Sequence, residues 1–235
     1  MSGLLGVIAG TIIVEKSNLL NNCETRKLQN QYGEALLLVN NRLVLVQRHG
    51  NDAGNHVLPH LINYRANLQA LLDIGVTEVV GINSAGSLKK DLRPGMIVIP
   101  DDFITLTATP TIHHNKAVHI IPQLNRQVRS RLIAAAKKSG ITVRETGTYL
   151  QTTGPRLETK AEIRMMTNFA DIVGMTMANE AVISQELDLP YASLCSVDNY
   201  GNGLADKPLS FEEIRTGADK NTALMIGILQ NYLEL

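Results

Sequence analysis

The sequence predicts an α/β fold with a mixed or parallel sheet covered by helices on both faces, and three observations carry that expectation. Short β-rich apolar runs alternate with longer segments of helical period. No internal repeat or low-complexity segment interrupts them. A chain of 235 residues with 44% hydrophobic content buries one sizeable core, so residues 1–235 are expected to form a single domain.

Strands are expected near Leu4–Ala9, Ala35–Val39 and Leu43–Gln47, the last two as a hairpin turned at Asn40-Asn41. A helix follows over roughly Ile62–Leu72, stopped by Gly75, with Leu68, Leu71 and Leu72 on one face. Further strands fit Glu78–Ile82, Met96–Ile99, Val143–Tyr149, Ile172–Gly174 and Tyr191–Val197. Helices fit Gln127–Lys138, Lys160–Met166, Asn179–Glu186 and Phe211–Tyr232.

Lysine plus arginine and aspartate plus glutamate each total 22, so no basic field is present for nucleic acid and no acidic bias for a cationic partner. The two cysteines, Cys23 and Cys195, are too few for a disulfide framework and suit a reducing cytoplasm. The apolar stretch from Met1 to Gly10 lacks a basic leader and is too short to span a bilayer, so it is expected to be the first strand.

In open α/β sheets, ligands gather beyond the carboxyl ends of the strands. Here those positions carry Gly10-Thr11, Arg48-His49-Gly50, Asn83-Ser84-Ala85-Gly86, Gly154-Pro155-Arg156-Leu157-Glu158-Thr159, Gly174-Met175-Thr176 and Asp198-Asn199, all expected in loops. Phosphate recognition needs approachable backbone amides, small hydroxylated side chains and an arginine fork. Gly10-Thr11, Arg48, the Ser84-Ala85-Gly86 turn and Thr176 supply each of these. Each has an ordinary structural explanation as well; Thr176, for example, fits an N-cap. Neither G-x-x-x-x-G-K-[ST] nor G-x-G-x-x-G occurs, so the expected anion is free phosphate rather than a nucleoside triphosphate or dinucleotide. His56 and His60 are four apart, but Pro59 lies between them and no carboxylate completes a zinc motif, so no metal is expected. No G-x-S-x-G elbow points to a serine hydrolase.

Taken in order, these motifs resemble those of the trimeric purine nucleoside phosphorylases and methylthioadenosine phosphorylases, and the resemblance runs through nearly the whole chain. It also rests on Pro59-His60 with Asn63-Tyr64-Arg65-Ala66-Asn67, Pro94-Gly95 with Ile99-Pro100-Asp101, Gly147-Thr148-Tyr149, Ala161-Glu162, and Val173-Gly174-Met175-Thr176 with Glu180-Ala181. Two departures stand out: Ala9-Gly10 replaces the usual glycine pair of the first turn, and extra residues at Asn51–Asn55 leave open whether His56 or His60 faces the substrate. The resemblance implies the nucleoside phosphorylase fold, a mixed twisted sheet with distorted barrel character. It places Thr11, Arg48, His49, Ser84, Ala85 and Thr176 around phosphate and Met175 under the ribose. It also counts His49 with Asn199 and Glu158 as catalytic. Phosphate would attack the anomeric carbon while the glycosidic bond breaks through an oxocarbenium-like state.

In the resembling family, 6-oxopurine enzymes set an asparagine at the purine N7 and a glutamate at the Watson–Crick edge, whereas 6-aminopurine enzymes use aspartates and a serine. Asn199 and Glu158 match the first pattern, since an amide donates to N7 and a carboxylate accepts from N1–H. A register slip of one residue would instead offer Asp198 and admit adenine. At the 5′ position, nucleoside enzymes carry a histidine where this chain offers Phe211 and Ile214, an apolar pair suited to a methylthio group. His119 lies in a segment like the one that crosses from a neighbouring subunit in the methylthio branch, which implies a homotrimer or hexamer. The expectation is phosphorolysis of S-methyl-5′-thioinosine, with no cofactor beyond phosphate as co-substrate. The alternatives are a methylthioadenosine phosphorylase, a general inosine/guanosine phosphorylase, a hydrolytic nucleosidase and a non-catalytic nucleoside binder.

Overall fold

The computed structural model describes residues 3–10, 18–50, 56–205 and 209–235. Its strands are β1 Leu4–Ala9, β2 Glu24–Asn30, β3 Gly33–Val39, β4 Leu43–Gln47, β5 Val76–Ser87, β6 Ile97–Val98, β7 Asp102–Thr105, β8 Val143–Arg144, β9 Thr148–Gln151, β10 Ile172–Gly174 and β11 Tyr191–Tyr200. The helices are α1 Tyr64–Asp73, α2 Arg126–Lys138, α3 Lys160–Met166, α4 Met177–Glu186 and α5 Phe211–Tyr232.

All the strands join one mixed sheet, whose main path runs β2-β3-β4-β1-β5-β10-β9-β7. β5 is the branch point. Its first half pairs in parallel with β1, its Gly86 and Ser87 pair antiparallel with β10, and from Val79 onward it pairs in parallel with β11. One long strand can serve three neighbours because the partner changes along its length, which curves the sheet and brings the ends of β1, β4, β5, β10 and β11 toward one another.

Both faces of the sheet are covered, so β1 is apolar on both sides rather than alternating. Its Ile8 packs on one face with Leu68 and Leu71 of α1 and Met177 and Ala181 of α4, while Leu5, Val7 and Ala9 pack on the other with Val128 and Leu132 of α2 and Ile228 and Leu229 of α5. The helix ends follow local chemistry. Asn63 caps α1 by accepting from Ala66 N–H, Asn125 caps α2 from Gln127 and Val128, and Thr159 with Glu162 forms a full capping box on α3.

Several sequence expectations are corrected. β2 and β7 were not anticipated; β2 is polar and largely exposed, so no apolar run marks it. The single strand expected over Val143–Tyr149 is two, β8 and β9, which pair with different partners. Asn83-Ser84-Ala85-Gly86 and Asp198-Asn199, expected in loops, lie within β5 and β11: the four β5 residues pair with Cys195, Ser196, Val197 and Asn199, and Asp198 is passed over by the register. Of Leu68, Leu71 and Leu72, expected together on one face of α1, the first two are buried and Leu72 is 37% exposed.

Candidate active site

A cavity of about 470 Å³ opens where β1, β4, β5, β10 and β11 converge. Arg48, His49, Ser84, Ala85, Glu158, Met175, Thr176, Asn199 and Ile214 all line it, from segments as far apart as 48 and 214 in the chain. Thr11 lies outside the described residues, as does the side chain of Phe211, whose backbone opens α5. His119 is exposed and absent from the cavity wall.

One end of the cavity is built from buried, mutually paired groups. Arg48 follows β4 and is 4% exposed. Its Nε lies 2.9 Å from Glu180 Oε1, its Nη2 donates to Ile8 O at 2.8 Å and to Glu180 Oε2 at 3.3 Å, and its Nη1 donates to Thr176 Oγ1 at 3.1 Å. Thr176 Oγ1 accepts a second bond at 2.8 Å from Asn83 Nδ2, and Asn83 Oδ1 in turn accepts from Ser193 Oγ at 2.6 Å. With both lone pairs of Thr176 occupied, its hydroxyl proton is left for an acceptor in the cavity, the polarity an oxyanion needs. Thr176 occupies the N-cap position of α4 but makes no side-chain cap bond. Gln151 Oε1 does that work for Ala178 and Asn179, and Tyr149 OH accepts from Thr176 N.

His49 stacks on His56 with centroids 4.5 Å apart, and its Nδ1 lies 2.8 Å from Val57 O. A carbonyl only accepts, so Nδ1 carries the proton and Nε2 of the neutral ring keeps its lone pair. Burial, reinforced by the Arg48 charge, pushes His49 down to about 4. His56 lines the cavity and His60 does not. Burial likewise pushes the Glu180 carboxyl up to about 7, against the pull of Arg48 and the Tyr191 hydroxyl.

At the other end, Asn199 and Glu158 face one volume. The pairing of β11 with β5 shifts register between Val197 and Asn199, so Asp198 is the bulged residue. It turns toward α5, where its Oδ1 accepts from Asn221 Nδ2 at 2.8 Å, while Asn199 lines the cavity beside Gly86. One Asn199 N–H goes to Tyr200 O at 2.8 Å, leaving the other free. Glu158 Oε1 accepts from Thr152 Oγ1 at 2.7 Å, leaving Oε2 open to a donor. Met175 backs the middle of the cavity, and its sulfur packs where a side chain on Gly154 would stand; Gly154 has φ +65, so glycine answers both demands. Leu58, Pro59, Leu209 and Ile214 make an apolar rim.

Of these groups, sequence reading gave no role to Asn83, Glu180, Tyr191, Ser193 or Leu209. Asn83 and Glu180 stood in motifs that carried the resemblance but were given no role there, and Tyr191 and Ser193 sit inside an apolar strand, where a single polar letter carries no visible pattern.

The family model described as the phosphorylase superfamily matches residues 11–234. The chain belongs to that superfamily. A protein of Archaeoglobus fulgidus named probable 6-oxopurine nucleoside phosphorylase is 37% identical over 236 residues, spanning 98% of this chain and 96% of its own. A protein of Methanocaldococcus jannaschii named probable S-methyl-5′-thioinosine phosphorylase is 39% identical over 241 residues, spanning 98% and 92%. The solved methylthioadenosine phosphorylase of Schistosoma mansoni in complex with adenine superposes on this superfamily member with a TM-score of 0.88, covering 99% of this chain and 91% of that one. At 24% identity, that likeness establishes the shared fold.

Proposed function

We propose that the protein catalyses phosphorolysis of a 6-oxopurine nucleoside, S-methyl-5′-thioinosine foremost, giving hypoxanthine and 5-methylthioribose 1-phosphate. The observation that carries this reading is the β11 bulge, which turns the Asp198 carboxylate toward α5 and presents the Asn199 amide to the cavity that also holds Glu158 and Arg48. Relatives named as 6-oxopurine nucleoside and methylthioinosine phosphorylases support it.

In the proposed step, a phosphate oxygen held by the free Nη1 face of Arg48, the Thr176 hydroxyl and Ser84 bonds to C1′. The C1′–N9 bond breaks and its electron pair leaves with the purine. The proton of hydrogen phosphate ends on the base. Asn199 donates its free N–H at N7 as charge gathers there, an interaction that strengthens toward the transition state. Glu158 Oε2 accepts from N1–H, a hydrogen present on 6-oxopurines. His49, neutral with Nε2 as an acceptor, receives a phosphate hydroxyl. Leu209 and Ile214 give the 5′ substituent an apolar seat.

No cofactor is invoked; inorganic phosphate is the co-substrate. We extend the reading to a homotrimer or hexamer in which His119 reaches a neighbour's site, supported by the exposed apolar Val118 and Ile121 on the same segment. We also place the protein in the cytoplasm and in purine salvage, in keeping with its two free cysteines; no helix among the described residues is long and apolar enough to cross a membrane.

Initial rates on methylthioinosine, methylthioadenosine and inosine, each with and without phosphate, test the proposal. Preference for the first, dependent on phosphate, is expected. A preference for methylthioadenosine would overturn the assignment of Asn199 and Glu158, and full turnover without phosphate would select a hydrolase.

A further inference from the structure

Arg48 has more partners in the protein than a ligand-binding arginine needs. The guanidinium presents five N–H donors, and the Nε–Nη2 edge, the one that ordinarily grips an oxyanion with two parallel bonds, is turned inward onto Glu180. Glu180 is 1% exposed, sits one turn into α4, and also accepts at 2.7 Å from the hydroxyl of Tyr191 on β11. Arg48 is further tied to Ile8 O at the end of β1. Nη1 donates instead to the Thr176 hydroxyl, and Arg48 and Thr176 both line the cavity.

Building on the reading that phosphate binds against Arg48 and Thr176, we infer that Glu180 is a positioning residue of the phosphate site. Its carboxylate takes one edge of Arg48 and so leaves Nη1 and the Thr176 proton as the face that meets the anion.

Two physical consequences follow from this geometry. A buried guanidinium is tolerated where a carboxylate answers its charge, and above about pH 7, where Glu180 is ionised, it supplies that charge before phosphate arrives. The anion therefore meets donors already fixed in direction, with little ordering left to do on binding. The pair also ties four elements together at this point: β1 through Ile8, β4 through Arg48, α4 through Glu180 and β11 through Tyr191. Phosphate affinity then depends on a carboxylate that never touches phosphate, while the nucleoside end has no contact with Glu180. The charged and titratable groups around Glu180 are Arg48, Tyr191, Tyr64 and Cys195.

The test is steady-state kinetics of Glu180→Gln with phosphate and nucleoside varied separately, beside wild type and Arg48→Gln. In Glu180→Gln the phosphate KM is expected to rise about tenfold or more while the nucleoside KM stays within about twofold, and Glu180→Asp should fall between. A phosphate KM within about twofold of wild type, or a parallel rise in both KM values, overturns the assignment. Should Glu180→Gln not fold, Glu180→Asp decides: a selective rise in phosphate KM upholds it, and a shift in both constants or in neither sinks it. Arg48→Gln separates this inference from the reading beneath it. If Arg48→Gln raises the phosphate KM and Glu180→Gln does not, phosphate does bind there and Glu180 does not position it. If neither does, the phosphate site itself lies elsewhere.

Discussion

The two ends of the cavity are built by different rules. At the phosphate end, Arg48, Glu180, Thr176, Asn83 and Ser193 are buried, and each is held by at least one other member of the group. At the base end, Asn199 and Glu158 each have one hydrogen bond through the side chain and keep a donor or an acceptor unspent. A network of buried charges has few tolerated variants, because removing one member leaves another unpaired. A pair of singly tethered side chains can be exchanged at lower cost. On the proposed reading, the phosphate end therefore fixes the class of reaction, and the base end selects the nucleoside.

The largest expected effect comes from breaking the network. Arg48→Gln leaves the Glu180 carboxylate buried without its cation and should lower stability by about 3–5 kcal/mol. Turnover with phosphate should fall by about 10²-fold or more in the fraction that stays folded. Urea unfolding and phosphate-dependent rates measure the two, and a variant as stable as wild type would contradict the network as described.

Asn199→Asp probes the other end. With no buried partner stranded, its stability should stay within about 1 kcal/mol of wild type, while kcat/KM on 6-oxopurine nucleosides falls by about tenfold or more. Preference should move toward 6-aminopurines, whose N7 then meets a carboxyl group able to donate when protonated. If the ratio of the two substrates does not change, Asn199 is not the group at N7.

How much of this contrast was legible in the sequence depended on what each residue type signals by itself. Arg48, Thr176, Glu158 and Asn199 stood out because charged, amide or hydroxyl side chains in the segments that follow apolar runs are conspicuous, and their ordered spacing matched a family. Glu180 stood inside a helix expected from its apolar neighbours, and Asn83 and Ser193 inside or beside strands; nothing in a linear pattern says that a strand serine reaches an asparagine on the adjacent strand. The Asp198/Asn199 ambiguity was of the same kind. A bulge shifts the register by one residue, and only the pairing with β5 shows that Asp198 is the extra residue. Likewise, β2 was missed because an exposed strand at the sheet margin carries polar residues on both faces.

A smaller effect is expected at the 5′ rim. Ile214→Ser removes apolar surface from the cavity wall without touching a charge. Preference for methylthioinosine over inosine should shrink by less than about tenfold, consistent with roughly 0.8 kcal/mol for each buried methyl-sized group. Measured kcat/KM ratios decide; an undiminished preference would move the 5′ seat away from α5.

The smallest effect lies within the phosphate end itself, where two buried groups oppose each other. Glu180 is raised from 4.5 to about 7, so between those values the folded protein binds more protons than the unfolded chain, and stability falls as pH rises. His49 is lowered from 6.5 to about 4, so in that interval the unfolded chain binds more protons, and stability rises with pH. Between pH 4.5 and 6.5 the two slopes offset, and the wild type should show a shallow dependence from this pair. Glu180→Gln removes the falling contribution, so its urea midpoint should climb with pH more steeply than wild type across that window. His49→Asn removes the rising one, and its midpoint should decline relative to wild type as pH increases. Parallel curves for all three proteins would mean that neither ionisation is displaced by burial, and the dry, pre-paired character assigned to the phosphate end would lose its basis.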